Sequence, residues 1–76
     1  MLYRRIRDLR EDKDLRQIDV AEVLNCTQVS YSRYEIGTRE IPIEMLIILA
    51  DFYNTSVDYI LGRTDEQKPY PPKKTY

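Results

Sequence analysis

Histidine and tryptophan are absent from the 76 residues, cysteine occurs once and glycine twice. Without histidine the chain lacks the usual general base of catalytic triads and the commonest metal ligand. The single Cys26 excludes an internal disulfide and a structural zinc site, and it is typical of a protein in a reducing cytoplasm. Two glycines, Gly37 and Gly62, are too few for a phosphate-binding loop. These absences argue against an enzyme and predict neither a cofactor nor a bound metal.

Long apolar runs are missing as well. The longest run, residues 45–50, is far shorter than the roughly 18 residues of a transmembrane candidate. At the other end, Leu2 is followed at once by Arg4 and Arg5, which leaves no apolar segment for a signal peptide. A composition of 42% hydrophobic and 33% charged residues is that of a globular domain. The sequence therefore predicts a cytoplasmic protein without a membrane partner.

The net charge of −1 gives little attraction for a polyanion, but its distribution matters more than its sum. Acidic and basic residues balance over residues 1–41, and residues 42–67 carry an excess of acidic residues. Residues 68–76 have a net positive charge. Cations are thus relatively concentrated in the front half. A nucleic-acid partner remains compatible with the charge of the chain.

Apolar residues recur with the period of an α-helix, and no segment alternates as a strand does. Helix ends are marked by good capping residues, such as Thr27 and Ser56 at N-termini and Gly37 and Gly62 after C-termini. The five predicted helices cover residues 2–13, 17–24, 28–36, 43–53 and 57–61. The fold class is therefore predicted as all-α, a compact five-helix domain over residues 1–62.

Residues 63–76 contain three prolines and little that a core would bury. This composition predicts a flexible tail. Two more specific interpretations are a segment that binds a protein partner and a basic arm that contacts DNA. A folded part of about 62 residues has a small core, which favours a dimer.

The second and third helices are joined by a three-residue turn at residues 25–27, the geometry of a helix-turn-helix. At about 100° per residue, Tyr31 and Tyr34 lie together on the inner side of the third helix. The residues on the outer side or its leading edge are Gln28, Val29, Ser32, Arg33 and Ile36.

The outer face combines an amide, a guanidinium, a hydroxyl and a small apolar side chain. Groups of these types read base edges in the major groove. Gln28 would bind an adenine, and Arg33 would bind a guanine. Gln17 opens the second helix, and Thr38 and Arg39 follow the third, where each can reach a phosphate. An amphipathic helix with a merely solvated outer side explains the same pattern, so the residues alone leave both interpretations open.

Residues 15–42 and 49–62 carry a combination of motifs: Gln17, Ala21, Ser32-Arg33-Tyr34-Glu35, Gly37 and Asp58-Tyr59-Ile60-Leu61-Gly62. In this combination the chain resembles the Cro/cI-type helix-turn-helix of the phage-repressor (XRE) family from residue 2 to about 62. The resemblance implies a lambda-repressor-like DNA-binding domain.

The resemblance also assigns roles. It implies base reading by Gln28, Val29, Ser32 and Arg33. It implies backbone contacts by Gln17, Thr38 and Arg39, and an ion pair between Arg10 and Glu35 that holds the third helix in place. Arg16 stands where the family has Ser or Thr, so a helix cap is lost and a cation is gained near the phosphates. Ile48 and Phe52 fit either the core or an extended dimer surface, and Ile36 is unusually apolar for its position.

Together these observations predict a sequence-specific regulator of transcription, a repressor, that binds double-stranded DNA as a homodimer on a near-palindromic operator. Two alternatives stay open. One is an antitoxin that autoregulates its own operon and covers a toxin. The other is a protein-interaction module that has kept the fold and lost DNA binding.

Overall fold

Five helices connected by short turns form the domain in a computed structural model, which describes residues 2–71. Their bounds are α1 Arg4–Asp12, α2 Gln17–Val23, α3 Gln28–Ile36, α4 Ile43–Phe52 and α5 Val57–Leu61. The described residues contain no strand. The all-α prediction is confirmed, and the bounds of α3 and α5 coincide with those predicted.

The other three helices are shorter than predicted. Tyr3 has an extended backbone and precedes the first turn of α1, so that helix begins two residues later than its apolar pattern indicates. Pro42 directly precedes α4 as its extended N-cap residue. Its carbonyl still accepts the first helical hydrogen bonds, from the N–H groups of Met45 and Leu46.

Left-handed residues end the helices or turn the chain between them. Asn25 adopts φ 54° in the turn between α2 and α3, as expected of a residue that tolerates this region. Gly37 has φ 83° directly after α3. A Cβ atom on Gly37 would come within 3.2 Å of Leu2, so both the backbone conformation and the approach of the N-terminal segment favour glycine there.

One apolar core joins all five helices and includes the loop residue Ile41. Its largest fully buried side chains are Tyr31, Ile6, Leu49, Ile60 and Val20. α2 packs against α3, while α5 packs against both α1 and α4. The core therefore fixes one side of α3 and leaves its other side open to solvent.

The segment after α5 contacts the domain. The Arg5 guanidinium donates to the carbonyl of Tyr59 at 2.7 Å and to that of Thr64 at 2.6 Å. It also donates to the Asp65 carboxylate at 2.6 Å and stacks 4.1 Å above the centre of the Tyr59 ring. We call this set of contacts the Arg5 clamp. It ties α1 to the chain that follows α5.

Two further hydrogen bonds continue along the same segment. The Thr55 hydroxyl donates to the carbonyl of Gln67, and the Tyr70 hydroxyl donates to the Asp58 carboxylate, each at 2.6 Å. The flexible tail at residues 63–76 stays a prediction, since residues 72–76 lie outside the described part of the chain. The described part of that segment makes specific contacts as far as Tyr70.

Candidate nucleic-acid interface

Side-chain and backbone hydrogen bonds define both ends of α3. The Thr27 hydroxyl accepts from the N–H of Ser30 at 3.1 Å, as an N-cap residue does. At the other end the Arg33 carbonyl accepts from the N–H groups of Gly37, Thr38 and Arg39 at 3.1, 3.1 and 3.3 Å. The loop after α3 is thereby folded back onto the last helical turn. Both ends predicted from the capping residues are confirmed.

The inner side of α3 is fixed by two tyrosines and a glutamate. Tyr31 and Tyr34 are buried, as predicted. Burial raises the pKa of Tyr31, and the neighbouring Glu35 carboxylate raises it further. Burial also raises the pKa of Tyr53, on the adjoining end of α4, to about 12. Both phenols therefore stay neutral and serve as core residues over the physiological pH range.

The outer side of α3 carries the predicted base-reading residues. Gln28, Val29 and Arg33 are exposed and Ser32 is half-buried. Together with Gln17 of α2 they line one shallow cleft of about 270 Å³. Val29 is 61% exposed and adds one apolar group to the otherwise polar lining of the cleft. The structure thus brings the four residues and Gln17 to one continuous surface.

Arg10 and Glu35 form the ion pair that the resemblance implies. Arg10 donates from Nε and Nη2 to the two carboxylate oxygens at 2.9 and 2.8 Å. Its Nη1 donates to the carbonyl of Leu15 at 2.8 Å. The exposed fractions of the side chains are 14% for Arg10 and 3% for Glu35. The pair therefore links α1, the turn before α2, and α3 inside the protein.

Glu35 keeps its charge despite its burial. Burial raises its pKa, but the hydrogen bonds from Arg10 and the positive charge of Arg10 lower it, and the net pKa is below the ordinary value. Hydrogen bonding to Glu35 in turn raises the pKa of Arg10. Glu35 is therefore an ionised acceptor, and any group that hydrogen-bonds to it has to be a donor.

Gln17 connects this pair to the exposed cleft. Its side-chain Nε2 donates to Glu35 Oε1 at 3.4 Å, a long hydrogen bond. Because the ionised carboxylate only accepts, the amino end of the Gln17 amide has to face it. An amide nitrogen carries two N–H groups, so one N–H stays available for an acceptor outside the protein.

Arg16 is held by a second carboxylate. Asp19 accepts from Arg16 Nε at 3.2 Å and from Nη2 at 2.9 Å. It also accepts from the backbone N–H of Arg16 at 2.8 Å, which is the half of a capping box that the third helical residue supplies. Hydrogen bonds from Arg16 lower the pKa of Asp19, and the same contact raises the pKa of Arg16. Sequence reasoning had identified Arg16 but missed Asp19, although the spacing of three residues at a helix start is a signal for such a pair.

The remaining predicted backbone residues are in the loop after α3. Thr38 and Arg39 are both exposed, and the Thr38 hydroxyl lies 3.5 Å from the Arg33 carbonyl. Their main-chain hydrogen bonds to Arg33 fix the loop at the C-terminal end of α3. Their side chains are therefore carried by backbone that is anchored to the same helix.

Ile36 acquires a structural setting. It is 61% exposed and lines a wider cleft of about 630 Å³ between α1 and α3. Leu2 lines the same cleft, as do Arg4 and Arg7. Ile36 therefore faces the N-terminal part of α1 and lies outside the cleft that groups the base-reading residues.

Within residues 2–71 there is no cluster of three or more His, Cys, Asp or Glu side chains suited to a metal ion. None of the helices formed by those residues is long and apolar enough to cross a membrane.

A two-helix unit with a four-residue turn at residues 24–27, whose second helix is fixed on one side and exposed on the other, defines a helix-turn-helix protein. The chain belongs to the helix-turn-helix family HTH_3, whose model matches residues 6–60.

The chain is similar to curated proteins over most of its own length. The chain is 39% identical over 74 residues to the uncharacterized HTH-type transcriptional regulator YobD of Bacillus subtilis, covering 97% of this chain and 66% of that protein. It is 33% identical over 76 residues to the antitoxin PezA of Streptococcus pneumoniae, covering 100% and 46%. It is 37% identical over 65 residues to the cryptic phage CTXphi transcriptional repressor RstR of Vibrio cholerae, covering 86% and 59%.

The chain thus spans about half to two thirds of the length of these relatives. No solved structure gives a significant match.

Proposed function

We propose that the protein is a sequence-specific, double-stranded-DNA-binding regulator of transcription, acting as a repressor. One observation carries the proposal: the exposed side chains of α3 and Gln17 line a single cleft on a helix whose other face is fixed in the core. A rigid helix with donors, an acceptor and a small apolar group on its outer side matches what the major groove presents.

In this proposal Arg33 and Gln28 carry most of the sequence discrimination. A guanidinium pairs with O6 and N7 of guanine, and an amide pairs with N6 and N7 of adenine. Val29 packs on a thymine methyl group, which gives its exposed side chain an apolar partner at the start of α3. Ser32 supports these contacts as a neighbouring donor and acceptor.

Gln17, Arg16, Thr38 and Arg39 contact phosphates and set the register of the domain on the duplex. Gln17 and Arg16 approach from the start of α2, and Thr38 and Arg39 from the loop after α3. The reading helix lies between these two groups. The Arg10–Glu35 pair takes no part in the contact and holds α3 in position.

We further propose a homodimer with one α3 in each of two successive major grooves, about 34 Å apart on a near-palindromic operator. The outer side of α4 supports this assembly. Ile43, Ile47, Ile48 and Phe52 are all exposed there, and an apolar surface of this kind is typical of a protein interface. As a regulator of transcription, the protein is also proposed to be cytoplasmic, to need no cofactor and not to be an enzyme.

The similarity to PezA, an antitoxin, favours a second candidate: a DNA-binding antitoxin that autoregulates its operon. Its partner would then be a toxin, held by the α4 surface or by residues 63–76. A toxin that co-purifies with the chain in equal amounts would support this candidate. A third candidate, an interaction module without DNA binding, predicts no salt-dependent binding to duplex DNA.

One experiment tests the main proposal. Binding sites are selected from random duplex DNA, and the mass of the complex is measured, which gives activity, site symmetry and oligomeric state together. On the selected site, Arg33→Ala should weaken binding by about 1–3 kcal/mol and relax selectivity at one base pair. Arg39→Ala should weaken all sequences alike and reduce the salt slope by about one unit.

If both variants bind the selected site as the wild type does, the outer side of α3 is not the reading surface. If no sequence is enriched and no duplex is bound, the proposal of a DNA-binding regulator is wrong.

A further inference from the structure

The Arg16–Asp19 pair stands directly before and within the first turn of α2, next to Gln17. Two nitrogens of the Arg16 guanidinium, Nε and Nη2, donate to the Asp19 carboxylate at 3.2 and 2.9 Å. The exposed fractions of the side chains are 77% for Arg16 and 32% for Asp19. The Arg16 side chain is thus largely exposed to solvent, while the Nε–Nη2 edge of its guanidinium is already occupied.

A carboxylate and a DNA phosphate are alternative ligands for the same edge of an arginine. Both are anions that accept two parallel N–H bonds from the planar guanidinium. Asp19 fills this role in the protein alone, and its charge offsets that of Arg16. A phosphate that approaches Arg16 therefore meets a neutralised pair and has to displace the carboxylate or share the guanidinium with it.

The Asp19 carboxylate also takes part in the helix start. Asp19 Oδ2 also accepts from the Arg16 main-chain N–H at 2.8 Å. An asparagine at this position retains a side-chain oxygen for that bond and loses the negative charge. The capping contact and the charge of residue 19 can thus be separated by a single substitution.

We propose that Asp19 is an internal competitor of the DNA phosphate for Arg16, and that it limits the affinity of the chain for any duplex, whatever its sequence. The proposal rests on the DNA-binding function proposed above and adds a residue that sets the strength of backbone binding. Asp19 touches no base and leaves the reading side of α3 unchanged. The weak overall charge of the chain is consistent with such control, because one uncompensated arginine is then a large change.

The test compares the wild type with Asp19→Asn, Arg16→Gln and the double variant, on a selected operator and on a scrambled duplex. Dissociation constants are measured between about 50 and 200 mM salt. Asp19→Asn should steepen the plot of log affinity against log salt by about one unit and tighten binding to both duplexes by up to about eightfold at 0.1 M salt. In the Arg16→Gln background the same substitution should have no effect.

Asp19→Glu is the matched control, because it keeps the charge and should stay near the wild-type affinity and slope. Asp19→Glu is also useful if Asp19→Asn folds poorly. The binding of Arg16→Gln can then be compared with that of the wild type and of Asp19→Glu, and the difference gives the contribution of Arg16. An unfolding midpoint for each variant shows that the helix start is intact.

Two results overturn the proposal while leaving DNA binding in place. If Asp19→Asn tightens binding equally in both backgrounds, Asp19 repels phosphates directly and does not act through Arg16. If Asp19→Asn weakens binding, Asp19 orients Arg16 for the phosphate. Absence of all duplex binding by the wild type and by Asp19→Asn overturns both this proposal and the proposed function. Salt-dependent binding without an enriched operator overturns only sequence reading.

Discussion

Two arginine–carboxylate pairs of this domain, Arg10–Glu35 and Arg16–Asp19, have almost the same hydrogen bonds and very different surroundings. In both, Nε and Nη2 of the arginine donate to the carboxylate, at 2.9 and 2.8 Å in Arg10–Glu35 and at 3.2 and 2.9 Å in Arg16–Asp19. The first pair is almost removed from solvent, whereas the second is open to it. The first spans 25 positions of sequence and the second only three.

The difference teaches that geometry alone does not decide what an ion pair does. A buried pair leaves an uncompensated charge in the core when one partner is lost. An exposed pair is screened by water and salt, and either partner can be exchanged for an external ion. We therefore propose that Arg10–Glu35 stabilises the domain, and that Arg16–Asp19 acts in the contact with DNA proposed above.

The largest expected effect is on the buried pair. Glu35→Ala should lower the free energy of unfolding by about 3 kcal/mol, at the lower end of the range for broken buried pairs because Arg10 retains some exposure. Urea denaturation at neutral pH measures this change. The matched control is Arg10→Met with Glu35→Leu, which should recover most of the loss. Equal destabilisation by Glu35→Ala and by the double variant would assign the effect to packing rather than to charge.

The next largest effect is expected on lowering the pH, which protonates the carboxylate of the buried pair. The pKa of Glu35 is lowered in the folded protein, so its contribution to stability is complete above the unfolded carboxyl pKa of about 4.3 and is lost as pH falls through the lower folded pKa. Urea midpoints measured from pH 7 downwards should therefore stay level and then drop below about pH 4.3. The Arg10→Met, Glu35→Leu variant should show a shallower drop. A stability that rises on acidification would contradict the direction of the pKa change.

A smaller effect is expected at the start of the reading helix. Thr27→Ala removes the acceptor of the Ser30 N–H and should cost about 1 kcal/mol of folding stability. Thr27→Ser keeps the hydroxyl and should stay close to the wild type in the same thermal denaturation. If alanine and serine behave alike, the hydroxyl of Thr27 does not stabilise α3.

The smallest effect on stability is expected at the exposed pair. Arg16→Gln should leave the urea midpoint nearly unchanged, since an exposed pair contributes little to folding, while it weakens binding to duplex DNA. A loss of stability comparable with that of Glu35→Ala would abolish the contrast between the two pairs.

The ends of α3 could be predicted from the sequence because they depend on local chemistry. Thr27 and Gly37 are capping residues whose preferences act over three or four positions. The burial of Tyr31 and Tyr34 follows from the helical period in the same way. The residues proposed to read bases are what remains on the other side, so the candidate site was accessible to the same reasoning.

Other features could not be predicted because their partners are distant in sequence or lack a side-chain signature. Arg5 donates to main-chain carbonyls 54 and 59 positions away, and carbonyls are present at every residue. The surroundings of Ile36 are a cleft that exists only when α1 and α3 are packed together. The Arg10–Glu35 pair was inferred from family resemblance, since nothing in the local pattern joins residues 25 positions apart.

The Arg5 clamp has a consequence for the order in which the domain forms during synthesis. Its contact between Arg5 and Asp65 closes a loop of 60 residues, and contacts of such separation form late because the chain between them has to be ordered first. When all five helices have been synthesised but a ribosome still holds the residues after α5, Arg5 can contact Tyr59. It cannot yet contact Thr64 or Asp65. The clamp therefore cannot be completed before Thr64 and Asp65 have left the ribosome.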